Sequence, residues 1–245
     1  MRFNEIDLTF HCNNRVALIT IKSPVLTQGL VREYNIALDE IIAKEGPKCL
    51  VTTSDHPKIF SAGLDFSLFT KHKDDVVNHV SESLRLLARL LTLPIPSVAA
   101  VNGHCLAGGL LLMLCHDIRL IEKNKNIKMC MTEIKFGMSI PEGAVAPLKA
   151  KLSPHIVTKL CLYGEVADNK KAIEWGLADE LVTDVVANAI KTADGLADFG
   201  STREAYEGIR HAMWEDTIQK MERSRLDKHA MKILAEGKIK MMPKL

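Results

Sequence analysis

The chain has 245 residues, 47% of them apolar and 25% charged, with a formal net charge of +2. That length can bury a sizeable core as one large or two small domains, and the composition excludes a disordered or fibrous protein. The charge is spread without a long basic block, which argues against nucleic acid or a polybasic membrane patch and leaves a small molecule as the expected ligand.

The first residues, MRFNEIDLTFHCNN, carry neither an apolar signal core nor a basic amphipathic helix. The six cysteines are scattered without a C-x-x-C pair, so a reduced, intracellular setting is expected. VALITI (16–21) is a β-branched run that predicts a strand. Over 24–44, Leu30, Tyr34, Leu38, Ile41 and Ile42 recur at helical spacing, and Gly46-Pro47 stops that helix. CLVTTS (49–54) predicts a second strand, followed by the turn-rich SDHPK and then IFSAGLDF. Val77, Val80, Leu84, Leu87 and Leu91 mark one face of a helix over 74–91, ended by Leu93-Pro94-Ile95-Pro96. SVAAV (97–101) is apolar throughout, the pattern of a strand buried on both faces. The apolar run around LAGGLLLML is too short to cross a bilayer and predicts a buried helix. IRLIEK and IKMCMT suggest further strands, SIPEGAVAPLKAKL opens another helix, and the last third is charged and helical without a Gly- or Pro-rich linker. Strand–helix alternation without an internal repeat indicates an α/β core with covering helices.

Two glycine turns each join a strand to a helix: FSAGLD (60–65) and NGHCLAGGL (102–110). Glycine in such a turn allows close backbone approach, so amide N–H groups at the helix N-terminus can point at a bound oxygen. Two turns converging on one carbonyl oxygen would form an oxyanion hole. Glycines needed only for tight helix packing are the plainer explanation for either turn alone.

KIFSAGLDF, then PIPSVAAVNGHCLAGGLLLMLCHD, then GEVADNKKAIEWGLADELV resemble the crotonase (enoyl-CoA hydratase/isomerase) superfamily in order and spacing, over about residues 15–185. The resemblance implies the crotonase fold: a spiral of β-β-α turns as a core over 1–195, with a helical trimerisation or lid region over 196–245. It also implies trimers or pairs of trimers, and an acyl-CoA thioester as substrate. Coenzyme A is then part of the substrate, and no separate cofactor or metal is expected. The family pattern assigns the oxyanion donors to the amides of Leu64 and Gly108. Ser61, Ala62, Gly63, Asp65, Gly109 and Leu111 surround the substrate in the same pattern.

Hydratases of this superfamily use two glutamates, because adding water requires both activating the water and handling a proton. The helix position for one of them is Leu111 here, so the resemblance shifts to the 3,2-enoyl-CoA isomerases, which manage with one carboxylate. An apolar wall suits that reaction by keeping water from the intermediate. Glu133, in MTEIKFG, falls where the hydratases' later glutamate and the mitochondrial-type isomerases' base lie. Glu142, in SIPEGA, matches the peroxisomal-type wording. Both remain candidates, and each has a plainer explanation: Ser139 and Glu142 read as a capping box, and Glu133 as a solvated loop carboxylate. Two acids nine positions apart also resemble the dienoyl-CoA isomerases. The same fold would equally serve a hydratase or a non-catalytic acyl-CoA-binding relative, since fold does not fix function.

His104-Cys105 and Cys115-His116-Asp117 fit no zinc-ligand spacing, and His56 reads as a turn residue. Asp65 is a candidate cap for the helix after the first turn. Lys58, Lys228, Lys232 and Lys238 are candidate contacts for the CoA phosphates, or else solvated lysines. The ending Pro243-Lys244-Leu245 resembles the S-K-L address and its import receptor, which points to the peroxisome, with the cytoplasm as the alternative. Pocket length is expected to depend on loops around 66–80.

Overall fold

A computed structural model describes residues 3–46, 48–65, 67 and 73–236. Strand β1 (Ile6–His11) turns back antiparallel onto β2 (Val16–Ile21). Strand β1 is absent from the sequence-based expectation, although Ile6, Leu8 and Phe10 alternate with polar residues as a half-buried strand requires. Helix α1 (Gln28–Ala43) starts four positions later than predicted, because the Thr27 side chain accepts from the Leu30 amide and caps it there.

From β3 (Cys49–Ser54) onward the chain repeats one motif. Each turn gives one strand to a large sheet, one to a small sheet, and then continues into a helix or helical turn. The first turn is β3, β4 (Ile59–Ser61) and α2 (Lys73–Leu91). The second is β5 (Ser97–Val101), β6 (His104–Leu106) and α3 (Gly108–Leu114). The third is β7 (Ile118–Glu122), β8 (Met129–Cys130) and a 3-10 turn over Glu133–Phe136. This is the expected spiral. The large sheet runs β1-β2-β3-β5-β7-β9, with β9 at Glu180–Val182, and the small one β4-β6-β8. Every pair except β1-β2 is parallel. Sequence motifs located the large-sheet strands better than the small-sheet ones, which are two or three residues long and too short to show a period.

Strands β3 and β5 are buried on both faces. Val16, Cys49, Val51, Val98, Ala100 and Leu120 pack with Ala189 and Ala193 of α7 (Val185–Leu196). Alternate residues such as Ile19, Leu50, Ala99 and Ile121 face the larger core with α1, α2 and α3. Helices α4 (Glu142–Lys151), α5 (Pro154–Cys161) and α6 (Asn169–Glu174) precede β9, and α8 (Arg203–Arg223) and α9 (Lys228–Glu236) follow α7. No helix of the described residues is long and apolar enough to cross a membrane.

Two buried polar systems bind these layers. His116 Nδ1–H donates to the Leu112 carbonyl (2.9 Å), so Nε2 accepts from the Thr52 hydroxyl (2.8 Å), and Thr52 in turn accepts from the Tyr34 hydroxyl (2.5 Å). Burial pushes the His116 pKa down to about 3, which keeps the ring neutral. Its nitrogens are thus spent on structure. The second system is Arg210 of α8, 4% exposed, whose guanidinium donates to the carbonyls of Leu90, Leu91, Leu93 and Ile95 and to Asp117 at 2.7 Å. It closes the C-terminal end of α2, whose last carbonyls have no helical partner.

Replacing Arg210 by Met leaves those carbonyls without their donor and Asp117 without its ion-pair partner. A loss of about 3–5 kcal/mol is expected, read as the shift in a denaturant unfolding midpoint. A shift within about 0.5 kcal/mol, the range of an ordinary surface change, would contradict this role for Arg210.

Candidate active site

The small sheet sets the site. Ser61 pairs with Cys105 and Cys105 with Met129, so the three segments leaving β4, β6 and β8 emerge side by side. Those segments carry Leu64, Gly108 and Glu133.

Leu64 forms a single parallel bridge with Leu26. The Leu26 amide donates to the Gly63 carbonyl (2.7 Å), and the Asp65 amide donates to the Leu26 carbonyl (3.3 Å). In a parallel bridge these two bonds use the residues flanking Leu64, which leaves the Leu64 N–H on the opposite edge. Gly108 opens α3, so its N–H is one of the four that a helix leaves unpaired. Neither amide donates to another described residue. The preceding Ala107 is held at φ 49°, ψ −122°, with its own N–H donating to Cys130 (2.9 Å). A non-glycine residue in that region carries strain, and here the strain aims the start of α3.

The glycines have different tasks. A Cβ on Gly63 would stand 2.6 Å from the Gly108 nitrogen, and Gly63 itself has φ +80°. A Cβ on Gly109 would stand 1.9 Å from the Ser61 carbonyl oxygen. A Cβ on Gly108 meets Gly63 Cα at 3.3 Å and Leu64 N at 3.6 Å, contacts that a small shift relieves. Tight packing therefore accounts for Gly63 and Gly109, while Gly108 borders open space.

That space is a cavity of about 80 Å³ lined by Leu64, Ala107, Gly108, Leu111 and Glu133, with Leu26, Val80, Leu84, Leu87 and Leu226 among its apolar walls. It is smaller than the roughly 300–1,000 Å³ of a whole-ligand pocket, so it fits the reacting end of a ligand rather than all of one. Glu133 is the one ionisable residue among the described lining residues. Its Oε2 is buried and has no partner, and burial raises its pKa above the ordinary carboxylate value, against opposing hydrogen bonds from the backbone of Glu133 and Thr132. Glu133 is therefore not a solvated loop carboxylate.

The other predicted residues lie elsewhere. Ser61, Ala62, Gly63, Asp65 and Gly109 build the turns and do not line the cavity: Ser61 Oγ accepts from the Gly63 amide (3.3 Å), and the Ala62 amide donates to Pro24 (2.7 Å). Asp65 accepts from the Ser67 amide and hydroxyl, both at 2.9 Å, a contact of the kind a capping side chain makes, and residues 68–72, which separate Ser67 from α2, lie outside the described residues. Glu142 is exposed, 3.7 Å from Arg223, on a separate depression with Lys149, Trp214 and Lys220. No capping box forms there. Pro141 occupies the cap position, and the Ser139 hydroxyl instead donates to Asp227 at 2.7 Å.

His56 is a turn residue, its Nδ1 accepting from the Lys58 and Ile59 amides (3.3 and 3.1 Å). Lys58 and Lys228 are exposed, while Lys238 and residues 66 and 68–72 of the pocket loop lie outside the described residues. Among the described residues no cluster of three metal-ligating side chains occurs.

Sequence reasoning did not pick out two polar residues of α2. His79 and Ser83 are 1% and 4% exposed, and Ser83 lines the cavity with an unpartnered hydroxyl. Their signal was a polar pair four residues apart within an apolar helical stripe.

The chain resembles known proteins throughout this architecture. Residues 11–237 match the family described as enoyl-CoA hydratase/isomerase. Enoyl-CoA delta isomerase 3 of Arabidopsis thaliana is 28% identical over 176 residues, covering 68% of this chain and 74% of the relative. Enoyl-CoA delta isomerase 2, peroxisomal, of the same plant is 29% identical over 178 residues, covering 68% and 73%. An enoyl-CoA isomerase structure from Mycobacterium tuberculosis superposes with a TM-score of 0.77 at 22% identity, covering 95% of this chain and 98% of that one. An enoyl-CoA hydratase from Mycobacterium ulcerans also reaches 0.77 at 22% identity, covering 96% and 99%. The fold is that of the crotonases.

Gly109→Ala should lose several kcal/mol of stability because its Cβ meets backbone, whereas Gly108→Ala should unfold within about 1 kcal/mol of the parent; thermal denaturation separates the two. Glu133→Gln should gain stability from pH. A buried carboxyl with a raised pKa favours folding in its neutral form, present below the unfolded pKa and lost as pH rises through the folded one. The Gln variant should therefore match the parent in acid and exceed it progressively above about pH 4.5, the ordinary value for a glutamate. A variant less stable than the parent at neutral pH would contradict the burial argument.

Proposed function

The chain belongs to the enoyl-CoA hydratase/isomerase family, and we propose that within it the chain is a Δ3,Δ2-enoyl-CoA isomerase of fatty-acid β-oxidation with Glu133 as its single acid–base group. One observation carries this reading: among the described residues lining the cavity bordered by the free amides of Leu64 and Gly108, Glu133 is the one ionisable side chain, with Leu111 where a hydratase would have its second carboxylate. Adding water needs two such groups, and moving a double bond needs one.

In the proposed reaction the Glu133 carboxylate removes a proton from C2 of a 3-enoyl-CoA. Electron density passes to the thioester oxygen, which the N–H groups of Leu64 and Gly108 hold as an enolate, each donor contributing on the order of 3 kcal/mol. The protonated Glu133 then returns the proton at C4, and the double bond re-forms between C2 and C3. The raised pKa of Glu133 serves both halves, since its carboxylate is a stronger base toward carbon and its acid form persists nearer neutral pH. Leu84, Leu87 and Leu111 surround the reacting carbons with hydrocarbon and exclude water that would add to the product. Glu142, exposed and opposite Arg223, has a surface role in this reading.

The substrate brings coenzyme A, and the enzyme needs no other cofactor. Assembly as trimers or pairs of trimers through the helices after residue 196 belongs to the same reading. So does peroxisomal import through Pro243-Lys244-Leu245, a tripeptide outside the described residues. The relatives from Arabidopsis thaliana, one of them named peroxisomal, support that location.

With 3-hexenoyl-CoA the ultraviolet absorbance of a conjugated 2-enoyl thioester should grow. Glu133→Gln should slow it on the order of 10³-fold, and Glu142→Gln should leave most of it. Loss of activity with Glu142→Gln alone would move the base to Glu142. Hydration of a 2-enoyl-CoA, a shift along a dienoyl chain, or binding without turnover would replace the isomerase by the hydratase, the dienoyl-CoA isomerase or the non-catalytic relative.

A further inference from the structure

The oxyanion strand is held from outside the cavity by a side chain that no motif marks. His79 of α2 is 1% exposed, and its Nε2 lies 2.6 Å from the Leu26 carbonyl oxygen. A carbonyl only accepts, so Nε2 carries the hydrogen, and the neutral ring presents Nδ1 as an acceptor. That Nδ1 is buried and without a partner. An apolar side chain would fill the same place without stranding a polar atom, so the bond to Leu26 is the feature that sets histidine apart here.

The Leu26 carbonyl is also the acceptor for the Asp65 amide at 3.3 Å, a long bond, while the Leu26 amide donates to Gly63 at 2.7 Å. These two bonds flank Leu64 and determine where its free N–H points. A donor at His79 fixes the carbonyl on which the weaker of them depends. Residues 80, 84 and 87 of the same helix form the cavity wall, so α2 sets the wall and the donor together.

Resting on the isomerase reading above, we propose that His79 is a positioning residue that aligns the Leu64 amide through the Leu26 carbonyl. The consequence is specific. Oxyanion donors act at 2.7–3.1 Å from an oxygen that gains charge only as the enolate forms, so a displaced Leu64 slows turnover more than it weakens substrate binding.

The test compares His79→Leu and His79→Gln with the parent, for kcat and KM on 3-hexenoyl-CoA and for the red shift of bound cinnamoyl-CoA, which reports thioester polarisation without turnover. The expected result for His79→Leu is a kcat lower by about ten-fold or more, a KM within about two-fold, and a smaller red shift. His79→Gln, whose amide nitrogen can reach the place of Nε2, should recover both. If Leu at this position does not fold, His79→Asn replaces it, since its amide is too short to reach Leu26. An unchanged kcat and red shift in the Leu or Asn variant would overturn the proposal, as would equal loss in the Gln variant. An inactive parent protein would sink the isomerase reading alone, and the red shift would still decide the role of His79.

Discussion

Two backbone turns pressed together without side chains between them are the constraint on which this molecule depends. Gly63 lies where a Cβ would collide with the Gly108 nitrogen, and Gly109 where one would enter the Ser61 carbonyl. Backbone can approach backbone this closely only where the Cβ is missing. The contact brings an extended segment and a helix start to one point, and each leaves an amide free there for its own reason. At Leu64 the bridge to Leu26 consumes the neighbouring groups. At Gly108 the helix has no preceding carbonyl to offer.

The third segment brings charge into an apolar place. Glu133 leaves β8 beside those turns and enters a space walled largely by leucine, with Oε2 unpaired. A carboxylate with one buried oxygen unpaired opposes folding, and the proposed reaction gives a reason for it to persist. A carboxyl lifted above its ordinary pKa by its surroundings suits proton transfer to and from carbon. In the proposed reaction, stability and chemistry pull Glu133 in opposite directions.

The C-terminal helices stiffen the arrangement. Arg210 of α8 is buried against the end of α2 and against Asp117, which itself accepts from the Ser97 amide at 2.8 Å as β5 begins. Gly143 of α4 donates to the Ser224 hydroxyl at 3.0 Å as α8 ends. One helix thus ties the cavity wall on α2 to the strand that leads into the Gly108 turn and to the helix beyond Glu133. Because α2 carries His79 as well as the wall, anchoring that helix also steadies the bridge around Leu64.

The sequence by itself determined the class and most of the scaffold. β-branched runs marked β2, β3 and β5, apolar spacing marked α1 and α2, and the glycine turns with their flanking words identified the family. These are local signals, carried by residues adjacent in the chain or one helical turn apart. The division of labour between Gly108 and Gly109, the exposure of Glu142 and burial of Glu133, the diversion of Ser139 to Asp227, and the reach of His79 to Leu26 were decided only by tertiary structure. Each depends on which segment from another turn of the spiral lies opposite, and whether a carboxylate meets water, an arginine or a leucine wall is a property of that neighbour. Glu133 and Glu142 are both plausible acids by spacing. The packing of β8 against β6 puts Glu133 beside the free amides, and the entry of α4 against α8 leaves Glu142 facing solvent.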